Sequence, residues 1–270
     1  MDDWFCCCQS RLIGQAAAFI TAAAYNAAGN NGCFTLVLSG GRTPGRLYER
    51  LACGVEEKVM ELYGHVVPEG ACRNSGEPSK ILLPWHRTFL FWGDERYLPH
   101  GHQDSNFRMA RETLIRHVAI PAGNIYPVPV GSGNPEKDAA AYESMIRRFF
   151  SRLSEGTVTD FPSFDLAILG MGADGHIASL FPEDAKALGE RKRWVLAVTA
   201  PDATPAVPRI SMTLPLINHS RRIMFLVPPG RDALARLVHE GRRPDLPAGM
   251  VRPLLERPVW FVLSLAADHP

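Results

Sequence analysis

The sequence lacks any strong excess of charge of one sign. Its 270 residues carry 29 lysines and arginines against 28 aspartates and glutamates, which gives a formal net charge of +1. Proteins that bind nucleic acid through their overall field carry a large positive excess, so no nucleic-acid partner is expected. A small anionic ligand held by a few local basic residues is compatible with this balance.

Long hydrophobic runs are also missing. No apolar stretch approaches the roughly 18 residues that a membrane span needs. The amino-terminal segment has Asp2 and Asp3 where a signal peptide has a basic region. We therefore expect a cytoplasmic protein with no membrane partner and reduced thiols. The hydrophobic content of 46% predicts a sizeable core, and we expect one domain over residues 1–270.

Cysteine is present but not in the spacing of a metal site. The six cysteines, Cys6, Cys7, Cys8, Cys33, Cys53 and Cys72, form no CxxC pair and no Cys/His cluster with zinc spacing. We expect the triplet at positions 6–8 to be a terminal segment without a redox purpose. No metal site is predicted.

Strands and helices alternate along the chain. Mostly apolar runs predict strands at Cys33 to Leu38, Thr88 to Trp92, Phe164 to Leu169, Trp194 to Thr199, Arg222 to Val227 and Val259 to Leu265. Helical spacing is found at Gln9 to Ala28, Gly45 to Leu62, Asn106 to Val118, Pro135 to Leu153 and Arg231 to Glu240. This order predicts an α/β fold, a three-layer, mostly parallel twisted sheet with helices on both faces. Ligands of such sheets bind at the carboxyl ends of the strands.

The stretch from Gly64 to Lys80 stands apart from this alternation. It is polar and contains Pro68, Gly70, Gly76 and Pro78. We interpret it as a flexible surface insertion and not as a domain boundary.

A glycine turn follows the first buried strand. In Ser39-Gly40-Gly41-Arg42-Thr43-Pro44 the backbone N–H groups at a helix start, two hydroxyls and Arg42 favour a phosphate. The turn fits neither the Walker pattern nor GxGxxG, so a nucleotide is not favoured. A plain strand-to-helix turn is the alternative.

The second strand ends in Gly93-Asp94-Glu95-Arg96, with Asp104-Ser105-Asn106 close behind. Carboxylates at a strand end are costly to bury unless they are paired or used. The alternative is a surface ion pair between Glu95 and Arg96 and a helix cap at Asp104 or Ser105.

Two further stretches carry candidate side chains. In Gly170-Met171-Gly172-Ala173-Asp174-Gly175-His176, glycine leaves the imidazole unshielded, so His176 is a candidate general base. Arg209 enters an apolar stretch and is a candidate phosphate clamp. The alternatives are a structural or solvated histidine and an arginine at the start of a strand.

Together these stretches resemble the 6-phosphogluconolactonases. The resemblance runs from about residue 10 to 265 and follows the family's order. Its motifs are Ser39-Gly40-Gly41-x-Thr43-Pro44, Gly93-Asp94-Glu95-Arg96, Asp104-Ser105-Asn106, Gly170-Met171-Gly172-x-Asp174-Gly175-His176-x-Ala178-Ser179-Leu180-Phe181-Pro182 and Pro208-Arg209-Ile210. Glucosamine-6-phosphate deaminases share the Asp-Gly-His core, but they continue with Phe-Asn-Glu after the histidine and usually have an aromatic residue in place of Arg96.

The resemblance implies hydrolysis of 6-phosphoglucono-1,5-lactone on a deaminase/ribose-isomerase type of sheet, without metal or organic cofactor. We expect His176 to take a proton from the attacking water and Asp174 to orient or polarise the imidazole. The residues expected to bind substrate or its phosphate are Ser39, Gly40, Gly41, Arg42, Thr43, Asp94, Arg96, Asn106, Gly172, Gly175, Arg209 and Arg231. Backbone N–H groups of the Gly40-Gly41 or the Gly172-Gly175 turn are candidates for the oxyanion site. The expected partner is a sugar-phosphate lactone, with the chain a monomer or weak homodimer.

Two features depart from the family, and two other functions stay open. Pro228-Pro229-Gly230-Arg231 replaces a glycine followed by a lysine, which leaves the role of Arg231 open. The Gly64 to Lys80 insertion is longer than expected. A deaminase or isomerase would use Asp94 as its base, and a non-catalytic sugar-phosphate binding module would not need His176.

Overall fold

The computed structural model describes residues 3–7, 9–67, 70–76, 78–154, 160–200, 203–253 and 257–263. The helices there are α1 Gln9–Asn31, α2 Arg42–Cys53, α3 Glu57–Leu62, α4 Asn106–Thr113, α5 Pro135–Leu153, α6 Ala185–Leu188, α7 Leu214–Asn218 and α8 Asp232–His239. The strands are β1 Trp4–Cys7, β2 Phe34–Leu38, β3 Val55–Glu56, β4 Lys80–Ile81, β5 Thr88–Trp92, β6 Asp94–Arg96, β7 Ile125–Tyr126, β8 Leu166–Leu169, β9 Val195–Val198, β10 Arg209–Met212, β11 Arg222–Val227 and β12 Val259–Leu263.

Seven strands form a parallel sheet in the order β1-β12-β11-β8-β2-β5-β7. Every residue of β2 and β8 is buried. Because successive side chains of a strand point to opposite faces, both faces of this sheet are covered. The α/β fold with a mostly parallel sheet is confirmed. β5, β11 and α5 have the predicted bounds, while residues 264 and 265 of the last expected strand lie outside the described residues.

A second, antiparallel sheet has the order β6-β10-β9. The strand predicted at Trp194 to Thr199 is β9, and it lies in this antiparallel sheet. An apolar run does not show which strand it pairs with. β6 follows β5 after one glycine and consists of charged residues, so periodicity did not detect it. Its register pairs Arg209 with Arg96 and Ser211 with Asp94, which brings distant parts of the chain together.

The helix predicted over Gly45 to Leu62 is two helices. α2 begins at Arg42 and ends before Gly54, whose φ is +83°. A Cβ at Gly54 would lie 2.9 Å from the carbonyl oxygen of Ile81, so a larger residue fits poorly here. The chain then forms β3, which pairs with β4, before α3 begins.

The Gly64 to Lys80 insertion lies on the surface, since each of its described residues is at least partly exposed. It is tied to the body at Cys72, whose backbone N–H donates to the Tyr25 hydroxyl at 2.6 Å. Leu82 N–H donates to the Cys72 carbonyl at 2.8 Å. Pro68, Glu69 and Glu77 lie outside the described residues, and the expected flexibility stays a prediction.

The amino-terminal segment forms a strand that the sequence did not predict. β1 pairs in parallel with β12, with Trp4 opposite Trp260 and Cys7 opposite Leu263. Cys6 is exposed, and Cys8 lies outside the described residues. The segment therefore extends the sheet at its edge.

Candidate active site

A cavity of about 620 Å³ opens where β2, β8 and β11 end beside the antiparallel sheet. The predicted residues in its lining are Ser39, Gly40, Gly41, Arg42, Thr43, Asp94, Arg96, Asn106, Gly172, His176, Arg209 and Arg231. Asp174 and Gly175 are outside the lining. The predicted loops therefore converge on one place.

His176 and Asp174 form a pair in the loop after β8. The imidazole Nδ1 lies 2.7 Å from the Asp174 Oδ1, which also accepts the backbone N–H of His176 at 3.1 Å. A carboxylate only accepts hydrogen bonds, so Nδ1 carries the hydrogen and Nε2 of a neutral imidazole carries the lone pair. The His176 ring also packs on Phe181, with the ring centroids 4.9 Å apart.

Two glycines shape this loop. A Cβ on Gly172 would collide with His176 Nδ1 and Asp174 Oδ1, so a larger residue there would displace this pair. Gly175 has a φ of +84° and packs on Leu246 instead of facing the cavity. Gly172 N–H donates to the His176 carbonyl at 2.9 Å, and Gly175 N–H donates to the Gly172 carbonyl at 3.2 Å. Both amides are thus engaged within the loop.

The Ser39 turn opens α2 at the cavity wall. Tyr48 holds the turn, since its hydroxyl accepts from Ser39 N–H at 2.9 Å and donates to the Ser39 carbonyl at 2.8 Å. Among the described residues, the backbone N–H groups of Gly40, Gly41, Arg42 and Thr43 have no acceptor. Unpaired N–H groups at a helix start attract anions.

Asp94 is buried and held from two sides. Its Oδ2 accepts from the Ser179 hydroxyl at 2.6 Å, and its Oδ1 accepts from Asn106 Nδ2 at 3.2 Å. Asn106 also donates to the Asp94 backbone carbonyl at 2.9 Å. A Cβ on Gly40 would collide with the Asn106 carboxamide, so Asn106 lies tightly between the Ser39 turn and Asp94.

Three arginines of the lining are held by carbonyl oxygens. Arg96 Nη1 donates to the Asp104 carbonyl at 2.8 Å, and Arg231 Nη1 donates to the Met171 carbonyl at 3.0 Å. Arg209 is only 5% exposed, its Nη2 donates to the Pro205 carbonyl at 3.4 Å, and its guanidinium lies 5.9 Å from the Phe181 ring centre. Burial lowers the pKa of Arg209, while the Asp94 carboxylate opposes this effect. We call Arg96, Arg209 and Arg231 the inner arginines.

The cavity lining is strongly cationic. Its charged side chains are Arg42, Arg46, Arg96, Arg209 and Arg231 against the single carboxylate of Asp94, together with His176. Within the described residues no group of three or more His, Cys, Asp or Glu side chains could hold a metal ion. The lining therefore favours an anionic organic ligand.

Comparison with known proteins agrees with the motifs. Residues 8–260 match the family described as glucosamine-6-phosphate isomerases/6-phosphogluconolactonase. The chain belongs to this family. It is 39% identical over 262 residues to a 6-phosphogluconolactonase of Synechocystis sp., covering 96% of this chain and 93% of that protein. It is 36% identical over 227 residues to the 6-phosphogluconolactonase of Thermotoga maritima, covering 84% and 83%.

A solved structure supports the same assignment. The crystal structure of the Thermotoga maritima 6-phosphogluconolactonase superposes with a TM-score of 0.72 at 30% identity, covering 96% of this chain and 98% of the other. No helix in the described part of this chain is long and apolar enough to cross a membrane.

The turn after β11, Pro228-Pro229-Gly230-Arg231, stands where a glycine and a lysine were expected, and it still places a cation in the cavity lining. Pro228, Pro229 and Arg231 all contribute to the lining, and Arg231 is fixed by its hydrogen bond to Met171. This turn thus keeps a positive charge beside the loop of His176.

Some lining residues were missed from the sequence. They are Pro44, Arg46, Gly170, Met171, Ala178, Leu226, Pro228 and Pro229. Arg46 had a usable signal, because it lies four residues after Arg42 and such residues share a helix face. The apolar members have no charge or motif that distinguishes them from ordinary loop residues.

Glu95 has a role that neither alternative for its loop described. Its carboxylate accepts from the backbone N–H groups of Arg96, Asn106 and Phe107 at 2.7 to 2.8 Å and from the Ser105 hydroxyl at 3.1 Å. The alternative of a surface ion pair between Glu95 and Arg96 is therefore not supported, because the described contacts of the Glu95 carboxylate are with N–H and hydroxyl donors. Ser105 is the N-cap of α4, as one alternative proposed. Burial raises the pKa of Glu95 to about 6, although the backbone N–H groups oppose it.

Proposed function

We propose that this chain hydrolyses 6-phospho-D-glucono-1,5-lactone to 6-phospho-D-gluconate in the oxidative pentose phosphate pathway. The observation that carries the proposal is the His176–Asp174 pair, at 2.7 Å, beside a cavity lined by five arginines. Such a cavity suits a phosphorylated substrate, and an oriented imidazole suits a reaction that needs a base near neutral pH.

His176 is the general base of the proposed reaction. Asp174 holds Nδ1–H, so Nε2 removes a proton from water while the water oxygen attacks the lactone carbonyl carbon. General-base catalysis contributes typically about 10² to 10⁴ in rate. Because a δ-lactone is an activated ester, its hydrolysis needs only a modest rate acceleration. General-base catalysis together with positioning of the substrate supplies it.

The second half of the reaction opens the ring. The attack produces a tetrahedral oxyanion, which we assign to the unpaired N–H groups of Gly40 and Gly41. Collapse of this intermediate breaks the bond between carbon 1 and the ring oxygen, and the imidazolium of His176 returns its proton to that oxygen. The carboxylic acid formed then ionises and releases one proton to solvent.

The phosphate is assigned to the inner arginines and to the start of α2. Arg209 is buried beneath the cavity, and its Nε has no hydrogen-bond partner among the described residues. Arg96 Nε is also buried and also has no hydrogen-bond partner among the described residues. These donors, with the N–H groups of Arg42 and Thr43, suit the oxygens of a phosphate. Binding the phosphate holds the reactive end near His176.

A deaminase-type reaction with Asp94 as base is the second candidate. Both oxygens of Asp94 already accept hydrogen bonds, from Ser179 and Asn106. The residues after His176 are also those of the lactonases. The cytoplasmic location and the monomer or weak homodimer expected from the sequence belong to the lactonase proposal.

Proton release from freshly generated 6-phosphogluconolactone tests the proposal. A pH indicator in dilute buffer follows the wild type, His176→Ala and His86→Ala against the spontaneous reaction. His86 is an exposed histidine outside the cavity and is the matched control. We expect acceleration by the wild type and His86→Ala and its loss, by about 10² to 10⁴, in His176→Ala.

Failure of the folded wild type to accelerate the reaction would overturn the lactonase proposal. Ammonia release from glucosamine 6-phosphate would then support the second candidate. Binding of 6-phosphogluconate without turnover of either substrate would indicate a binding module.

Arg209→Ala separates binding from chemistry in the same assay. We expect KM to rise about 10- to 100-fold, with a smaller change in kcat, because a charge-assisted pair with a phosphate is lost. Arg116→Ala, at an exposed arginine outside the cavity, is the control. A lower kcat at unchanged KM would contradict the assigned role of Arg209.

A further inference from the structure

Arg42 and Arg46 differ from the other arginines of the cavity. Both side chains are exposed, and both line the cavity from α2. The inner arginines are fixed by carbonyl oxygens, whereas neither Arg42 nor Arg46 has a side-chain hydrogen bond or ion pair within the described residues. We call this pair the rim arginines.

The position of the rim arginines is locally unfavourable. Arg42 is the first residue of α2 and Arg46 follows one turn later, so two like charges share one face of the helix. Cations are also disfavoured at a helix N-terminus, because the helix dipole is positive there. The first turn of α2 holds no acidic residue that would compensate. Charges that are unfavourable in their own helix, and that no opposite charge in that helix turn compensates, are typical of functional positions.

The rim arginines also exceed what one phosphate needs. The inner arginines and the backbone N–H groups of Arg42 and Thr43 already supply fixed donors. Two more cations at the exposed wall add positive potential where a ligand enters. Positive potential at the mouth of a cleft raises the local concentration of anions and their association rate.

We propose that Arg42 and Arg46 steer the phosphorylated lactone into the cavity and so set the preference for phosphorylated over unphosphorylated lactones. They act through charge at a distance and not through a fixed contact with the reacting atoms. This inference rests on the proposed lactonase function. It gives the Arg42 side chain a different role from the direct phosphate contact expected from the sequence, while the Arg42 backbone N–H keeps its assigned contact with the phosphate.

The test measures kcat and KM for the wild type, Arg42→Gln/Arg46→Gln, Arg42→Lys/Arg46→Lys and Arg50→Gln. Arg50 lies one further turn along α2 but outside the cavity lining, so it is the matched control. The substrates are 6-phosphogluconolactone and glucono-1,5-lactone, each in dilute and in about 0.5 M salt, where charges are screened within several ångströms.

Steering predicts a loss confined to kcat/KM. For the double glutamine variant in dilute salt, kcat/KM for the phosphorylated lactone falls about tenfold. The ratio of kcat/KM for the phosphorylated lactone to kcat/KM for glucono-1,5-lactone falls by the same factor. The loss shrinks to within about twofold in high salt, and the double lysine variant recovers most of it. A loss that persists in high salt, that lysine does not rescue, or that Arg50→Gln shares would overturn the proposal.

A binding measurement separates this proposal from the lactonase proposal. Calorimetric titration with 6-phosphogluconate needs no turnover. Weaker binding by the double glutamine variant in dilute salt, but not in high salt, supports the rim arginines even if the wild type hydrolyses neither lactone. Equal affinity of the wild type and the variant in dilute salt would overturn the proposal.

Discussion

The Oδ1 atom of Asp174 accepts two hydrogen bonds from His176, one from the ring Nδ1 at 2.7 Å and one from the backbone N–H at 3.1 Å. One carboxylate oxygen thus fixes both the main chain and the ring of its neighbour. The ring orientation and the hydrogen on Nδ1 follow from this single contact, which leaves Nε2 as the proton acceptor.

Asp174→Asn tests this relationship. Asparagine keeps an acceptor oxygen but loses the negative charge that stabilises an imidazolium. We expect kcat to fall about 10- to 100-fold, with KM within about threefold because Asp174 does not line the cavity. Steady-state kinetics across pH measure both quantities, and Asp160→Asn, at an exposed aspartate, is the control. An unchanged kcat would show that the imidazole needs no carboxylate partner.

Gly172→Ala tests the packing behind the pair. The added methyl group would collide with His176 Nδ1 and Asp174 Oδ1, so the two side chains must move apart. We expect kcat to fall at least about tenfold, since displacement by about 1 Å costs about 10² in rate. Gly14→Ala is the matched control, because its Cβ would meet no atom within 4 Å. Equal kcat for the two variants would contradict the assigned geometry.

The parallel sheet was predictable because its strands are buried on both faces. A strand such as β2, buried throughout, has a mostly apolar sequence that stands out from the helices beside it. The antiparallel sheet was not predictable from periodicity. β6 consists of Asp94, Glu95 and Arg96, and it is a strand only because β10 pairs with it.

The parts of the candidate site that are local motifs of a loop could be predicted from the sequence. The contacts between residues far apart in the chain could not. The glycine frame around His176 and the turn at Ser39 are local features of the sequence. The hydrogen bond from Ser179 to Asp94 joins residues 85 positions apart, and no local sequence pattern predicts it. The same limit applies to Glu95, whose burial depends on how α4 packs over β6.

Asp165→Ala tests a buried link between β2 and β8. Asp165 Oδ2 accepts from the Thr35 N–H at 2.9 Å and from the Thr35 hydroxyl at 2.7 Å, while Oδ1 accepts from Asn31 at 3.1 Å. Its removal leaves buried donors unpaired, so the free energy of unfolding should fall by about 2 to 4 kcal/mol. Urea denaturation measures the change, with the exposed Asp160→Ala as control. A loss below about 0.5 kcal/mol would contradict this role.

The carboxyl group of Glu95 couples stability to pH. Its pKa is about 6 in the folded chain against an ordinary value of 4.5, and the cause is burial. The folded state therefore binds more protons than the unfolded state between these values. The contribution to stability is fully present below pH 4.5 and is lost as pH rises through about 6. The gap between the two pKa values corresponds to about 2 kcal/mol.

Glu95→Gln removes this titration and keeps the shape of the side chain. We expect the free energy of unfolding of the wild type, relative to Glu95→Gln, to decrease by up to about 2 kcal/mol between pH 4.5 and pH 7. Urea denaturation at several pH values gives the difference, and Glu61→Gln, at an exposed glutamate of α3, should show none. A difference that grows with pH would mean that the N–H groups of Arg96, Asn106 and Phe107 outweigh burial and that the carboxylate is the favoured form.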